Sequence, residues 1–319
     1  MLKFIFKRTN ELSDEEIRQI CQLFYAVYNK EKPIDKYLKQ FGQTIFGYSY
    51  HGLMVDEGKI VGCYAAIPME YTYFGENQVF ALSVDTMISK SYRGNLANLR
   101  KMANLVYEEL VKDGIPFIYG FPNKNFYLVK KRVLGWVDIG RLDYYILPIR
   151  VSALIKSFKI LDIISMLFSK LLVLLSKIVP VGKETDGFFI EKVNDNKFLS
   201  YRYDNGYRII KSVNNSLFVY KIDHEEGLRV AYLLDVYPMN KKALAYSVET
   251  IFCNDKNDID LIGYLGKLHF RPISLLKVPK RMESKAVRMS GKILINSRID
   301  NRIYNIDNWN VNLSNFDVR

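Results

Sequence analysis

The stretch SKSYRGNLANLRKM, residues 89–102, carries residue types that could bind an anion. An aromatic residue, an arginine and a glycine, Tyr92-Arg93-Gly94, follow the apolar run VFALSVDTMI and precede a segment with helical periodicity. Because the first turn of a helix has unpaired N–H groups and a partial positive charge, this arrangement can hold a phosphate or pyrophosphate. The same residues also fit an ordinary helix N-terminus with Asn95 as cap, and both interpretations stay open.

A second polar segment, FPNKNFYLVKKRVLGW, follows the apolar strand pattern PFIYG. It places Asn123 and Asn125 directly after the predicted strand and then a short basic helix that ends at Gly135. Lys130, Lys131 and Arg132 on this helix either attract phosphate groups or form a solvated face.

Together the two segments resemble the GCN5-related N-acetyltransferase (GNAT) superfamily. In that family a strand runs into a loop of the form R-x-x-G-x-G/A, whose amides bind the pyrophosphate of acetyl-CoA, and an N…(G-F/W) pattern comes later. Arg93 matches the first loop position, and Asn123 or Asn125 followed by Gly135-Trp136 matches the later pattern. The resemblance covers the first half of the chain, and the closing segment, residues 306–319, resembles the tails of tandem-domain members linked to surface-glycan synthesis.

The chain departs from the family pattern where the loop has its two glycines, because Leu96 and Asn98 stand there. Glycine lets a ligand approach the backbone closely, so a Cβ at position 96 affects the expected pyrophosphate contact. The resemblance implies acetyl-CoA, or another acyl-CoA, as co-substrate and no metal. The residues it implies for binding this co-substrate are Met87, Ile88, Arg93, Gly94, Asn95, Leu96, Ala97, Asn98, Asn123 and Asn125.

The family's reaction is direct attack of an amine on a thioester, which needs a base for the ammonium proton and an acid for the leaving thiolate. Asp85, on the strand before the loop, is the predicted base, and Glu70 is the second choice. The family's acid is often a tyrosine one turn before the G-F/W pair, where this chain has Lys131. Tyr127, one turn earlier, is the predicted substitute.

Strand and helix patterns of the first 150 residues alternate in the order expected for this fold. Ser13 and Glu16 predict a capping box at the start of the first helix, and Gly114 predicts the end of a later one. The order of patterns after residue 186 loosely repeats the first half, which suggests a diverged second copy. We therefore expect an α+β or α/β protein with two GNAT-like mixed-sheet domains, the second degenerate, over residues 1–150 and 186–319.

The region between these domains, 151–185, contains the most apolar stretch of the chain, at 151–179. Polar residues recur in it with a period close to that of a helix, which predicts one or two amphipathic helices with a wide apolar face. Charged residues interrupt the stretch before it reaches the length of a membrane span. Three alternatives stay open: packing on a domain or a second subunit in a homodimer, lying on a membrane surface, or spanning it.

A formal net charge of +12 favours anionic partners such as nucleotide phosphates, acidic lipid surfaces or nucleic acid, and a solvated surface with no such role stays open as an alternative. No compact basic block with interleaved aromatics occurs, so we expect no DNA binding. Three dispersed cysteines and three histidines form neither a CxxC motif nor a metal spacing, and no secretory signal is recognised. These features predict a cytoplasmic protein, with the inner membrane face as a variant of that location.

The leading hypothesis is an acyl-CoA-dependent N-acetyltransferase that acts on an amine such as an amino sugar in glycan synthesis. Two alternatives stay open. One is a transferase of the same fold that takes an amino acid from aminoacyl-tRNA, and the other is a non-catalytic binding protein.

Overall fold

The computed structural model describes residues 1–155, 158–178, 187–204, 206–211, 216–283 and 285–316. Parts of the predicted linker (156–157 and 179–185) and of the closing segment (317–319) lie outside these ranges. The strands are β1 Lys3–Arg8, β2 Tyr50–Asp56, β3 Lys59–Tyr73, β4 Glu76–Ile88, β5 Phe117–Gly120, β6 Val137–Arg141, β7 Asp143–Pro148, β8 Ile190–Lys192, β9 Arg208–Lys211, β10 Leu217–Glu225, β11 Leu228–Tyr237, β12 Leu261–Gly266, β13 Leu276–Lys277, β14 Arg288–Ile293 and β15 Trp309–Asn310. The helices are α1 Asp14–Tyr28, α2 Ile34–Phe41, α3 Leu96–Lys112, α4 Lys124–Leu134, α5 Val151–Ile155, α6 Ile160–Ile178, α7 Asn196–Arg202 and α8 Lys241–Asp255.

The chain divides into two compact units, and each is built from three segments. The first contains residues 1–141, 190–202 and 287–308, and the second contains residues 142–189, 203–286 and 309–319. The predicted domains are stretches of consecutive chain, whereas β7 joins the second unit and β14 joins the first. The prediction of two mixed sheets covered by helices is confirmed.

The sheet of the first unit has the order β1-β2-β3-β4-β5-β14-β6, with β8 beside the end of β3. Strands β4 and β5 are parallel, and their ladder joins Phe80–Leu82 to Phe117–Tyr119. The other pairs within this unit are antiparallel. After Leu82 no described residue pairs with the β5-side edge of β4, so this edge is open where the predicted cofactor segment begins.

Helices cover both faces of this sheet. Helix α3 packs on β1, β2 and β3, and its buried residues include Met102 and Val106. It approaches β2 so closely that a Cβ on Gly52 would lie 2.1 Å from the carbonyl oxygen of Met102. Helix α1 contacts β3 and β4. It lies on the face of the sheet opposite to α3 and buries Ile20 and Phe24 there. Because successive side chains of β3 point to opposite faces, one set contacts α1 and the other contacts α3.

The caps of the helices follow the sequence signals. Ser13 and Glu16 form the predicted capping box, and the side chain of Asn95 accepts a hydrogen bond from the amide of Ala97 at the start of α3. The turn after α3 has Gly114 at φ +73°, a conformation that glycine adopts without strain. These predictions are confirmed, and they fix where α3 begins relative to β4.

The second unit has a sheet of order β13-β7-β12-β11-β10-β9. Strands β11 and β12 are parallel, with Val230–Leu233 opposite Leu261–Tyr264, and helix α8 connects them. The order hairpin, helix, parallel strand is thus present in both units. The core of this unit lies between α8 and the sheet and includes Leu244, Val248 and Ile262.

Helix α6 belongs to the second unit and packs against the rest of it through its polar stripe. Ser165 and Ser169 are buried, and their hydroxyls donate to the carbonyl oxygens of Ile149 (2.6 Å) and Pro148. The apolar side chains on the other side of the helix are exposed: Ile160, Ile163, Ile164, Leu167, Phe168, Leu171, Leu174, Leu175 and Ile178. Within the described ranges no helix is long and apolar enough to cross a bilayer.

Candidate active site

A β-bulge in β4 directs the carboxylate of Asp85 to the face of the sheet that α1 and α2 cover. The register shifts between Cys63 and Ala65, so that Cys63 pairs with Met87 and Ala65 pairs with Val84. In a regular strand residue 85 would point to the same face of the sheet as Ser83, which is the face that α3 covers. The extra residue of the bulge turns the side chain of Asp85 to the opposite face. Asp85 has φ +44°, a left-handed conformation that Asp tolerates better than most residues. Such local strain is common at functional sites.

The side chain of Asp85 lies in a narrow pocket in the first unit, which we call the Asp85 pocket. It encloses about 190 Å³ of space between atoms and is too narrow to admit a further water-sized ligand. Lys32 forms an ion pair with Asp85 there, and both side chains are nearly buried, at 5% and 10% exposure. The residues that line the pocket are Ile20, Phe24, Lys32, Tyr37, Phe41, His51, Cys63, Ala65, Asp85 and Met87.

Two other titratable groups of the pocket are neutral near pH 7. Burial, together with the charge of Lys32, lowers the pKa of His51 to about 3. Its Nε2 lies 2.9 Å from the hydroxyl of Thr9. Burial also raises the pKa of the Cys63 thiol, and the charge of Asp85 acts in the same direction. A neutral thiol is a poor nucleophile, and an imidazole with so low a pKa is a weak base.

The loop between β4 and α3 includes a short 3₁₀ turn at Lys90–Tyr92. Nε of Arg93 donates to the carbonyl oxygen of Ile88 (2.8 Å), and the hydroxyl of Tyr92 donates to Asp56 (2.7 Å). The first contact holds the loop against the end of β4, and the second holds it against the end of β2. Of the predicted cofactor residues, Met87 and Asn98 are buried, Ile88 is partly buried, and the loop positions Arg93, Gly94, Asn95, Leu96 and Ala97 are exposed.

Leu96 is the first residue of α3, and its side chain is 52% exposed. Asn98 is buried, and its backbone N–H donates to the carbonyl oxygen of Asn95 (3.1 Å). The cap interpretation and the anion interpretation of this loop are therefore compatible, because Asn95 caps the helix while the loop before it is exposed.

Tyr127 lies on α4 with its hydroxyl donating to both carboxylate oxygens of Asp138 (2.6 Å each). Burial opposes the ionisation of Asp138, but hydrogen bonds from Lys131 and Tyr127 outweigh it and lower the pKa of that carboxyl. Asn123 caps α4 by accepting from the amide of Phe126 (2.9 Å), and Asn125 is exposed. The roles of these residues stay predictions.

Lys130 differs from what the sequence suggested, since it forms neither an exposed phosphate-binding group nor a solvated face. It is buried, its Nζ donates to the hydroxyl of Ser83 (3.0 Å), and it lies 3.9 Å from the ring centroid of Trp136. Burial lowers its pKa to about 7. In the sequence it belongs to the basic run Lys130-Lys131-Arg132, but on the helix it shares a face with Leu134, which is also buried.

Glu70, the second candidate base, lies elsewhere in the first unit. It lines a separate pocket together with Asp113, Gly114 and Arg298. Lys32, His51 and Cys63 were not predicted from the sequence as site residues, because they approach Asp85 only through the packing of α1, α2 and β3. In the described part of the chain, no group of three or more His, Cys, Asp or Glu side chains could hold a metal ion.

Comparison with known proteins finds a family match in the N-terminal segment of the chain. Residues 8–141, which include β2 to β6 and the Asp85 pocket, match the acetyltransferase (GNAT) domain family. Over this segment, which is less than half of the chain, the sequence is similar to GNAT domains. The sequence-level resemblance to this superfamily is thereby confirmed.

Solved structures of similar fold cover nearly the whole chain. One is a probable N-acyltransferase of unknown function from Enterococcus faecalis, with TM-score 0.59, 13% identity, and coverage of 92% of this chain and 73% of that one. A GCN5-related N-acetyltransferase from Anabaena variabilis has TM-score 0.59, 15% identity and coverage of 91% and 73%. Another from Kribbella flavida has TM-score 0.60, 10% identity and coverage of 92% and 71%. At these identities the likeness concerns the fold, and no curated protein matches the chain.

Proposed function

We propose that the GNAT domain transfers an acetyl or other acyl group from acyl-CoA to an amine. The observation that carries this proposal is the bulge of β4, which places the Asp85 carboxylate against an ammonium group in the family-matched segment. A carboxylate beside an ammonium is the arrangement that a base needs to remove the proton of the attacking amine.

The segment that follows Asp85 is suited to the co-substrate. Beyond Leu82 the edge of β4 is open toward β5, so main-chain groups near Met87 and Ile88 can pair with the pantetheine arm. The exposed loop and the N-terminus of α3 then meet the pyrophosphate. Asp85 accepts the amine's proton, nitrogen attacks the thioester carbon, and the CoA thiolate leaves. For Tyr127 to protonate that thiolate, its hydroxyl must exchange Asp138 for sulfur.

For the acceptor we propose an amino sugar, nucleotide-linked or lipid-linked. This part rests on the resemblance of the closing segment to tandem-domain members linked to glycan synthesis. The ion pair in the Asp85 pocket supports the broader class of acceptor, a primary amine that is protonated in solution.

The test combines binding and turnover on the full chain. Calorimetry with acetyl-CoA and with free CoA measures binding, and thiol release measures transfer to amino sugars and simple primary amines. We expect saturable CoA binding and amine-dependent thiol release that Asp85→Asn abolishes. Absence of CoA binding contradicts the proposal. Binding of aminoacyl-tRNA together with transfer that ignores CoA would establish the tRNA-dependent alternative, which the net charge of +12 favours.

We further propose that α6 lies on an anionic lipid surface. Its serine stripe is docked, whereas its apolar stripe is exposed along all 19 residues, a length of about 28 Å. Phe158, just before the helix, is 81% exposed. Exposed Lys159 and Lys170 lie near one edge of the stripe, where lysines can reach lipid headgroups.

Sedimentation with vesicles tests this location. We expect the chain to sediment with phosphatidylglycerol-containing vesicles and not with phosphatidylcholine vesicles at the same salt concentration. The double variant Leu167→Gln/Leu171→Gln should lose binding and keep its melting temperature, since both side chains are exposed. A stable dimer in solution that the same variant dissociates, without vesicle binding, would overturn the proposal.

A further inference from the structure

The position of Lys32 is unusual for its segment. Helix α1 ends at Tyr28, α2 begins at Ile34, and Lys32 lies in the loop between them. Its neighbours Lys30, Glu31 and Pro33 are exposed, and only Lys32 turns into the domain. Burying a lysine side chain costs free energy unless its charge finds partners. The contacts of Lys32 therefore require an explanation.

Its ammonium group is surrounded by a set of groups that recognise a cation. Nζ is paired with Asp85 and donates to Oε1 of Gln40 (2.6 Å). It also lies 4.3 Å from the ring centroid of Phe24 and 5.0 Å from that of Phe41. A carboxylate, an amide oxygen and two aromatic faces form a site for a primary ammonium ion.

The chain's own lysine thus occupies the place that the proposed reaction gives to the acceptor. While Lys32 occupies the pocket, a second amine has no room beside Asp85. Asp85 lies two residues before Met87, and the proposed function places the pantetheine arm along Met87–Ile88, so it brings the thioester of a bound acyl-CoA to the part of β4 that carries Asp85.

We propose that Lys32 is itself an acyl acceptor and that the GNAT domain acylates it from acyl-CoA. This inference rests on the proposed function. The Lys32 ammonium gives a proton to Asp85, its nitrogen attacks the thioester carbon, and a C–N bond forms. The C–S bond breaks, and the CoA thiolate leaves and takes up the second proton, which the nitrogen loses as it becomes an amide. The products are Nε-acyl-lysine and free CoA.

Acylation changes the pocket. The amide nitrogen of acyl-lysine carries no charge, so the ion pair with Asp85 and the cation–π contacts with Phe24 and Phe41 are lost. Because Lys32 lies in a loop rather than in a helix or strand, it can leave the pocket without unfolding an element. Its departure exposes Asp85 to an amine from solution.

Mass spectrometry of the full chain incubated with acetyl-CoA tests the proposal. The measured quantity is the fraction of Lys32 that carries an acetyl group over time, with exposed Lys30 as an internal control for chemical acetylation. We expect Lys32 to be modified at least about tenfold faster than Lys30, although it is buried. The rate should not depend on protein concentration, because each domain modifies itself.

Two variants separate catalysis from chance reactivity. Asp85→Asn should reduce acetylation of Lys32 by at least about 100-fold and leave that of Lys30 unchanged, as expected for loss of a general base. Lys32→Arg keeps the cation, should bind CoA as the native chain does, and should show no acetylation at this position. Circular dichroism melts show whether each variant is folded.

The outcomes distinguish this inference from the proposed function. If the chain binds CoA and acetylates an added amine while Lys32 stays unmodified, self-acylation is wrong and the proposed function stands. If CoA does not bind, both fail. Equal acetylation of Lys32 and Lys30, or acetylation of Lys32 that survives in a folded Asp85→Asn variant, overturns the inference, since it indicates uncatalysed reaction.

Discussion

The two units contain the same local arrangement with different consequences. In each, a strand pairs in parallel with the strand beyond a helix and has a bulge beyond the end of that ladder: β4 at Asp85–Thr86, and β11 at Leu234. Each bulge carries or adjoins an aspartate, Asp85 in the first unit and Asp235 in the second. This shared arrangement supports the proposal that the second unit is a diverged copy of the first.

The partners of the two aspartates differ. Asp85 faces an ammonium group that can give up a proton. Asp235 is fully buried and accepts a hydrogen bond from the side-chain amide of Asn312 (2.9 Å), which gives up no proton under physiological conditions. The loops differ too, because residues 89–95 separate β4 from α3, whereas 238–240 are all that separate β11 from α8. This difference supports the proposal that the reactive site lies in the first unit and that Asp235 has a structural role in the second.

The largest expected effect is a difference in kcat between variants of Asp85 and of Asp235. Asp85→Asn removes the proposed base and should lower kcat for amine acetylation by about 10²- to 10⁴-fold, the range for loss of a general base. Asp235→Asn should change kcat less than about threefold. Steady-state thiol release on both purified variants measures this, and equal losses would show that the two sites are not functionally different.

The second prediction concerns the stability of the second unit. Asn312→Ala leaves a buried carboxylate oxygen of Asp235 without its amide donor and should lower the free energy of unfolding by about 1–3 kcal/mol. Asn312 also bonds Ser314, so Ser314→Ala serves as the control for that contact. Urea titration measures both variants. A loss no larger than that of Ser314→Ala would mean that Asn312 does not hold Asp235.

Lys130 on α4 gives a pH-dependent prediction for the first unit. Because burial lowers its pKa to about 7, the unfolded chain binds more protons than the folded chain between pH 7 and the ordinary lysine pKa. Stability from this group therefore rises with pH across that window, by up to about 1.4 kcal/mol per pH unit. Lys130→Met should be most stabilised relative to the native chain at pH 7 and below, and the gap should shrink toward pH 10. A gap independent of pH contradicts the burial of a titrating amine.

The smallest predicted effect lies in the loop before α3. Leu96→Gly restores one of the two glycines of the family's loop and should tighten CoA binding by less than about tenfold, roughly 1 kcal/mol. It should also destabilise the start of α3 slightly, since glycine disfavours helix. Calorimetry with CoA checks the affinity. If affinity does not change, Leu96 does not restrict the cofactor, which fits its exposed side chain.

Much of the fold was predictable because local signals specify it. The capping box at Ser13, the cap at Asn95 and the left-handed turn at Gly114 mark element ends that the structure reproduces. The sequence did not predict that β7 joins the sheet of the second unit and β14 that of the first, because a strand pattern does not show which sheet the strand joins. The sequence also did not show whether the apolar or the polar face of α6 packs against the protein. The hydroxyls of Ser165 and Ser169 donate to backbone carbonyls, so the polar face does.

The site was predictable only in part. Asp85 was selected from its place before the loop, and the structure adds the bulge that directs it into a pocket. Lys32 lies 53 residues earlier in the chain, and no sequence pattern links it to Asp85. Lys130 appeared to belong to a basic surface, although it is buried beside Ser83. Such contacts depend on packing between distant elements, which a single sequence does not display.

A crystal structure of the full chain with acetyl-CoA tests the central claim most directly. The account predicts the pyrophosphate at the loop and helix start between Arg93 and Asn98, the pantetheine arm along Met87–Ile88, and the thioester carbon beside Asp85 and Lys32. Cofactor bound instead at the β11–α8 loop of the second unit, or bound with its thioester away from Asp85, would contradict the assignment of the reactive site to the first unit.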